Sequence, residues 1–309
     1  MNFEEEFAAF LRENGLDGTG FIAVPVTARS PREAAALSEA QAAAFPMGLP
    51  GLAERPVFIV EDRWRSQGEQ VKARLLAHCR RFAQVYARNC EVRRIDKPTA
   101  AAFLARTHSY GDAACRYRYG LYVRRLTGEK NSAAIGSAET LVAVGEFSSA
   151  RTMKDGRRSY EWVRYASEPG VRVVGGMGKV LQKFVDEVHP DDVMTYADLE
   201  WSDGGAYRAL GFEPEGLKAP VTFAIDTRTW TRTALKPGAV FCGALKPGAD
   251  AAAAPPADAA VAEEASPAGA VAEGISAAGA AAEAIRYYRN FGSLKYRKTF
   301  RIPHPDGEG

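Results

Sequence analysis

Residues 175–178, Gly-Gly-Met-Gly, form a glycine cluster between two different patterns of side chains. Residues 160–166 alternate as in a β-strand, whereas the apolar residues that follow Lys179 recur at the spacing of a helix. Glycines at a strand-to-helix turn let the backbone approach a ligand, and the first N–H groups of a helix have no internal partner. Because the helix dipole adds to this effect, such a turn can bind an anion such as a pyrophosphate. A solvent-exposed loop also contains glycines, so the cluster by itself leaves both interpretations open.

Residues 190–212 extend this pattern into a larger unit. A short apolar run at residues 193–196 follows Pro190 and predicts a second strand, and a compact helix is predicted to end at Gly211. Strand, glycine turn, helix and strand in this order predict a β-α-β unit. Tyr196 and Asp198 lie two residues apart, so we expect their side chains to share one face of the second strand.

The spacing from the glycine cluster to the end of this unit resembles the acyl-CoA-binding core of the GNAT N-acetyltransferase superfamily. The motif of that superfamily is roughly Arg/Gln-Gly-x-Gly, a helix, a strand and then Tyr-x-x-x-Gly-Phe. Here residues 176–178 match the turn, and Tyr207 with Gly211 and Phe212 matches the end. Gly175 departs from the pattern, because it stands where the family usually has an Arg or Gln that helps to hold the pyrophosphate.

The resemblance implies acetyl-CoA or a related acyl-CoA as cofactor, with its pyrophosphate on the backbone N–H groups of residues 176–179. The predicted cofactor-binding residues are Val173, Val174, Gly176, Met177, Gly178 and Lys179.

The resemblance also implies a role for Tyr207, since the matching tyrosine of the family protonates the departing CoA thiolate as a general acid. The alternative for Tyr207 is a core tyrosine that packs against its helix. Asp198 could act as general base or orient the acceptor amine, or it could cap the helix that follows. Tyr196 joins these two residues as the third catalytic candidate.

A narrower resemblance is to a phage-associated branch of the same fold. Residues 196–198, Tyr-Ala-Asp, with Gly205 and Tyr207 resemble the Ser-Tyr-Ala-Asp…Gly-x-x-Tyr pattern of Mom-type proteins, which modify adenine in DNA. Residues 57–110 resemble the junction in phage homing endonucleases where the nuclease core ends, the unit that contains residues 196–207 resembles the region that follows it, and the tail resembles the closing strand of the phage branch. The branch implies a nucleic-acid base, or an amine associated with nucleic acid, as acceptor. The alternative is a non-enzymatic nucleic-acid-binding module derived from such an endonuclease.

Residues 286–301 contain six basic residues, no acidic residue and several aromatic residues, a composition that could stack on bases and contact phosphates. A half-buried strand with a solvated basic edge explains the same residues. The residues predicted to contact substrate or nucleic acid are Arg164, Arg286, Arg289, Lys295 and Tyr296.

Glu61 and Asp62 follow an apolar run and form an acid pair at a predicted strand end, where carboxylates can bind magnesium. A nuclease of the carboxylate-plus-lysine type needs a further acid and a lysine on the same sheet, and residues 20–56 do not supply them. The four cysteines and four histidines show no zinc-binding spacing. We therefore predict no metal site.

The chain of 309 residues is 46% hydrophobic and 25% charged, with a net charge of +2, as in ordinary soluble proteins. The unpaired cysteines favour a reducing, cytoplasmic compartment. The acidic, amphipathic N-terminus does not resemble a signal peptide, and no apolar run is long enough to span a membrane. Composition leaves the oligomeric state open.

The order of predicted elements favours an α/β fold with a GNAT-like mixed, mostly antiparallel twisted sheet flanked by helices. We predict a small α/β extension at residues 1–89, the acyltransferase-like domain at 90–301 and a flexible tail at 302–309. Nineteen of the 36 residues at 249–284 are alanine, with Gly, Pro and acids among them. Because this stretch has little to bury, we predict a disordered insertion at 244–284 between the last two strands of the domain.

Overall fold

The computed structural model describes residues 2–44, 56–125, 135, 137–236 and 283–300. Most of the predicted insertion at 244–284, and the tail at 302–309, lie outside the described residues.

The described residues form six α-helices and fifteen strands. The helices are α1 (Phe3–Glu13), α2 (Pro31–Ala44), α3 (Glu61–His78), α4 (Lys97–Thr107), α5 (Gly176–Val188) and α6 (Gly205–Arg208). The strands are β1 (Phe21–Val24), β2 (Val57–Val60), β3 (Ala83–Tyr86), β4 (Cys90–Arg94), β5 (Tyr117–Val123), β6 (Leu141–Phe147), β7 (Arg151–Thr152), β8 (Arg158–Ser167), β9 (Val171–Val174), β10 (Asp192–Asp198), β11 (Glu213–Lys218), β12 (Thr222–Asp226), β13 (Thr231–Ala234), β14 (Ile285–Arg289) and β15 (Ser293–Thr299).

The main sheet has the strand order β11-β15-β10-β8-β6-β5-β4, with β7 paired to β8. Every neighbouring pair along this order is antiparallel except β8 and β10, which are parallel. The predicted mixed, mostly antiparallel sheet flanked by helices is thus confirmed.

Helices cover both faces of the sheet. On one face α5 inserts Phe184, which stacks on Phe147 with ring centroids 4.0 Å apart. On the other face α4 packs Phe103 and Leu104 against Val144. A large apolar helix face against each side of the sheet buries the core on both sides.

Residues 2–89 make many contacts with the rest of the chain. Strands β1 and β2 form a parallel pair, β3 pairs in parallel with β9, and α2 packs on β14. The backbone N–H of Phe58 donates to the carbonyl of Glu200 at 2.9 Å. A buried ion pair joins Asp62 to Arg232, whose guanidinium donates to both carboxylate oxygens at 2.6 and 2.7 Å.

The structure differs from the predicted elements in two places. Glu61 and Asp62 open helix α3 instead of ending a strand, and α3 is bent at Gln67. The basic tail forms two strands, β14 and β15, that belong to different sheets: β14 pairs with β12 in a three-stranded sheet with β13, and β15 lies inside the main sheet. The insertion therefore precedes both closing strands, because the turn at residues 290–292 divides the basic segment.

The buried Glu146 of β6 and the half-buried Asp112 share Arg118, at 3.0 and 3.7 Å from its Nε. Burial, with the adjacent Asp112 carboxyl, raises the pKa of Glu146 to about 8. Glu146 Oε2 and Asp112 Oδ1 have no other donor within the described residues. A proton held between the two carboxyl groups satisfies both atoms.

This raised pKa predicts how stability depends on pH. Protonated Glu146 stabilises the fold fully below its unfolded pKa near 4.5, and this stabilisation is lost as the pH rises through about 8. Glu146→Gln keeps an N–H donor for Asp112 and cannot ionise. The free energy of unfolding is measured by urea denaturation at pH 4.5 and at pH 8.5. We expect its decrease between these two pH values to be smaller in the variant than in the parent, by at least about 1 kcal/mol.

The matched control is Glu69→Gln, since the Glu69 side chain is 92% exposed. It should follow the parent at both pH values. Parallel pH dependence in the parent and in Glu146→Gln would show that Glu146 is already ionised in the fold.

Candidate active site

The parallel strands β8 and β10 pair over three residues and then separate. Ser159, Tyr160 and Glu161 lie opposite residues 192–194, and the Thr195 hydroxyl donates to the Trp162 carbonyl at 3.0 Å. Beyond this point β8 pairs with β6, with Val163 as an extra residue in the ladder, and β10 pairs with β15. We call the gap between residues 163–167 and 196–198 the opening.

The start of α5 lies beside this opening. Gly175 has φ +78°, a left-handed conformation that glycine adopts without strain. A Cβ on Gly176 would lie 2.6 Å from the Tyr165 hydroxyl of β8, and one on Gly178 would lie 3.3 Å from Leu210, which follows β10. The helix N-terminus therefore contacts residues from both sides of the opening.

The donors at the start of α5 suit an anion. The Tyr165 hydroxyl is buried and has no hydrogen-bond partner among the described residues; Ser167 lies nearby but outside hydrogen-bonding geometry. Burial raises the pKa of Tyr165 to about 12, so the hydroxyl keeps its proton at neutral pH. This hydroxyl and the first N–H groups of the helix are all hydrogen-bond donors, which fits a pyrophosphate.

The predicted cofactor-binding residues differ in what they can offer. The Lys179 N–H already donates to the Gly175 carbonyl at 3.0 Å. The Lys179 ammonium points away from the opening and donates to the carbonyls of Ala87, at 2.9 Å, and Cys90. Val173 and Val174 lie in the parallel ladder with β3. The N–H groups of residues 176–178 are those that α5 leaves without a helical partner.

Tyr207 lies where β8 and β10 part. Its ring packs 6.1 Å from Trp162 of β8 and 6.0 Å from Tyr296 of β15, measured between centroids. Burial raises the pKa of Tyr207, and the Thr195 hydroxyl offsets part of this shift. Tyr207 therefore carries its phenolic proton at neutral pH.

Two carboxylates lie at the end of β10. Asp198 Oδ1 accepts the Glu200 N–H at 3.0 Å, so its side chain also closes the turn that follows the strand. Glu200 is buried, and the Tyr288 hydroxyl donates to its Oε1 at 2.6 Å. Burial, with the charge of Asp198, raises the pKa of Glu200 to about 7. Sequence reasoning missed Glu200, whose only local signal was an acid two residues after Asp198.

Tyr196 does not join Tyr207. It lies opposite Lys295 of β15, with the Lys218 ammonium 5.1 Å from its ring centroid. Because side chains alternate along a strand, Tyr196 faces away from Thr195, which contacts Tyr207. The structure therefore separates Tyr196 from the hydroxyl of Tyr207.

The five residues predicted to contact substrate or nucleic acid do not form one surface. Tyr296 is fully buried, donates to the Asp203 carbonyl and accepts from Arg208 at 2.8 Å, so its ring cannot stack on a base. Lys295 pairs with Glu215 at 2.8 Å on an inner strand.

The three arginines of this set lie elsewhere. Arg164 donates to the Gly111 carbonyl at 3.1 Å, beside the end of β10. Arg286 and Arg289 lie half-buried on β14, in the three-stranded sheet.

Helix α3 and residues 108–111 supply side chains to the site that the sequence did not indicate. Arg63 donates to the Ser109 carbonyl at 2.9 Å, and its guanidinium lies 4.6 Å from the Tyr110 ring centroid. Burial, with the charges of Arg164, Arg74 and Arg63, lowers the pKa of His108 to about 3. We call the space bounded by α3, residues 108–111 and the end of β10 the cleft.

The acid pair at residues 61 and 62 has other partners. Both Asp62 oxygens bind Arg232, and Glu61 accepts the Val26 N–H at 3.1 Å. Among the residues that the structure describes, no group of three or more His, Cys, Asp or Glu side chains could hold a metal ion. No helix of the described ranges combines the length and the apolar character that a membrane crossing requires.

Comparison with known proteins gives structural likenesses at low identity. No protein-family model and no curated protein matches the sequence. The NatC complex bound to Gag peptide and CoA is similar at 14% identity over 42% of this chain and 88% of that chain, with a TM-score of 0.32.

Two bacterial structures are similar at the same level. A conserved protein of unknown function from Enterococcus faecalis V583, described as a probable N-acyltransferase, has 14% identity over 46% of this chain and 36% of its own, with a TM-score of 0.29. YncA from Salmonella typhimurium, a putative acetyltransferase with its cofactor acetyl-CoA, has 13% identity over 71% of this chain and 99% of its own, with a TM-score of 0.32.

Proposed function

We propose that this protein is an acyl-CoA-dependent N-acyltransferase that binds its acyl donor in the opening between β8 and β10. The observation that carries the proposal is the separation of these two strands beside the glycine-rich start of α5. An anion-binding helix terminus, a protonated tyrosine and a carboxylate pair meet around one gap in the sheet. Acyl transfer to an amine uses all three.

The donor would be held by the N–H groups of residues 176–178 and the Tyr165 hydroxyl. When bound, an acyl-CoA supplies its acyl group as a thioester, whose carbonyl carbon an amine attacks and whose carbon–sulfur bond then breaks. Charge-assisted hydrogen bonds from four converging donors fix the position of a pyrophosphate, and the helix dipole favours its negative charge.

Tyr207 holds the proton that the departing thiolate needs. Its raised pKa keeps Oη protonated at neutral pH, and its packing against Trp162 fixes the ring at the closed end of the opening. A positioned acid of this kind contributes about 10²–10⁴-fold to a rate.

The carboxylates after β10 accept the proton that the amine loses. Asp198 is half-buried and reachable, whereas Glu200 lies behind it. Burial, with the charge of Asp198, raises the pKa of Glu200 to about 7 and favours a proton on this buried carboxyl. We therefore assign the contact with the amine to the half-buried Asp198. Tyr196 takes no part in this scheme, since it lies opposite Lys295 and its ring contacts the Lys218 ammonium.

For the acceptor class we propose a nucleic-acid base, or an amine associated with nucleic acid. The resemblance of residues 196–198, Gly205 and Tyr207 to Mom-type proteins supports this assignment. Arg286 and Arg289 add some support, because neither forms an ion pair within the described ranges and both remain able to meet phosphates.

The first test concerns the pyrophosphate. Gly178→Asp places a negative carboxylate at the start of α5, and we expect it to weaken CoA binding at least about tenfold in calorimetry. Gly178→Ala is the control, because its Cβ meets only the flexible end of Leu210 at 3.3 Å and should leave the affinity within about threefold. Unchanged affinity in a folded Gly178→Asp protein, or no CoA binding by the parent, would contradict the proposal.

The second test concerns proton transfer. Tyr207→Phe removes one hydroxyl and little volume, so the melting temperature should change little while turnover falls about 10²–10⁴-fold. Turnover is followed as free CoA thiol released from acetyl-CoA in the presence of amine acceptors. Tyr196→Phe, whose ring lies beside the Lys218 ammonium, should keep the parent rate. Equal rates in Tyr207→Phe and the parent would show that the Tyr207 hydroxyl takes no part in the reaction and that the residue has only a packing role.

The third test concerns the acceptor. Acetyl-CoA labelled in the acetyl group should transfer label to single- or double-stranded DNA or RNA with the parent protein and not with Tyr207→Phe. Nucleic-acid binding without CoA binding would favour the alternative, a non-enzymatic binding module. Labelling of free amines alone, with none on nucleic acid, would exclude the nucleic-acid acceptor and leave acyl transfer intact.

A further inference from the structure

Arg74 of helix α3 lies in the cleft without a fixed partner. Its guanidinium carbon is 4.0 Å from the ring centroid of Trp201, and it forms no hydrogen bond or ion pair with any residue that the structure describes. Its nearest charged or titratable groups include Asp198, Glu200 and Tyr207, three residues of the proposed active site. Arg74 is thus a cation close to the proposed active-site residues, and its N–H donors are free to bind a ligand.

The Arg74 side chain is exposed to solvent, and desolvation by the protein around it lowers its pKa. His78 lies one turn later and its side chain also reaches solvent. Desolvation by the surrounding protein, with the charge of Arg74, lowers the pKa of His78 to about 4.

Positive charge accumulates on this side of the cleft. Burial is the main cause of the lowered pKa of His108, and the charges of Arg164, Arg74 and Arg63 all add to it. Arg63 and Arg164 are bound by backbone carbonyls of residues 109 and 111, which orient them but do not neutralise their charge. Arginines that are desolvated and not neutralised raise the affinity of a site for an anion.

The contact between Arg74 and Trp201 uses the face of the guanidinium, so the N–H groups at its edge stay free to bind a ligand. An arginine that stacks on an aromatic face keeps its N–H groups in the guanidinium plane, where they can bind a carboxylate or a phosphate through two parallel bonds. The acids Asp198 and Glu200 act electrostatically on Arg74, so a cation and two acidic groups belong to one cluster. Opposite charges in one cluster suit a substrate that carries both an amine and an anion.

We propose that Arg74 binds an anionic group of the acyl acceptor, so that the acceptor is an amine that also carries a phosphate or a carboxylate. The identification of this ligand as the acceptor rests on the proposed acyl transfer. Binding of the anion itself requires only the cleft.

The test uses two pairs of probes that differ only in the anionic group. The phosphate pair is 2′-deoxyadenosine 5′-monophosphate and 2′-deoxyadenosine, and the carboxylate pair is L-alanine and L-alaninamide. In calorimetry with the full chain, with and without saturating CoA, the anionic member of at least one pair should bind about 10- to 100-fold more tightly than the neutral member. The pair that shows this preference identifies the phosphate or the carboxylate as the anion.

Two variants locate the preference. Arg74→Gln should reduce it to within about threefold. Lys72→Gln should retain it, since Lys72 lies on the same helix and pairs with Glu69 at 3.0 Å instead of facing the cleft. Gly178→Asp should lose CoA binding and retain the preference, so failure of the donor site and failure of the anion site give different results. No preference in the parent, or a full preference in Arg74→Gln, would overturn the role of Arg74.

Discussion

The short parallel pairing between β8 and β10 is the constraint on which the rest of the site depends. In a sheet whose other neighbours are antiparallel, these strands share three paired residues before β8 continues with β6 and β10 continues with β15. Beyond the Thr195–Trp162 contact each strand has an edge whose backbone groups lack a partner strand. Backbone donors and acceptors at such edges need partners, and an extended ligand with amide groups can supply them. The gap is therefore the part of the sheet in which two neighbouring strands leave backbone groups without a partner strand.

The position of α5 follows from the same region. Phe184 stacks on Phe147, and Phe147 in turn stacks on Trp162, the last residue before the strands separate. Lys179 binds the carbonyls of residues 87 and 90, so the start of the helix is tied to the segment between β3 and β4. Helix α5 is thus held on its apolar side by the packing of Phe184, and its first turn is held on the polar side by the half-buried Lys179. Its free N–H groups keep a fixed direction as a result.

Helix α3 of the N-terminal part supplies residues to the site near the end of β10. The ion pair between Asp62 and Arg232 is almost fully buried, and removal of one partner from such a pair typically costs about 3–5 kcal/mol. It fixes the first turn of α3 against β13, and the same helix carries Arg63 and Arg74 to the end of β10. The boundary predicted at residue 89 therefore separates segments that build one cleft together. The cost of removing both charges from water offsets most of their attraction. This ion pair therefore holds helix α3 in register more than it adds to net stability.

The sequence by itself determined the elements whose pattern is local. Periodicity predicted the strand at residues 160–166 and the helix after the glycine cluster, and the structure has β8 at Arg158–Ser167 and α5 at Gly176–Val188. Local signals also predicted a compact helix that ends at Gly211, and the structure has the short helix α6 at Gly205–Arg208, which ends three residues earlier. Side-chain period and glycine content depend on near neighbours only. Only the tertiary structure decided that Asp62 binds an arginine 170 residues away, that Tyr296 is buried between sheet and helix, and that Glu200 and Arg74 face one cleft. Burial and electrostatic partners arise where distant segments meet, and the free energy of a charge depends on those partners and on the water they exclude, neither of which a local pattern records.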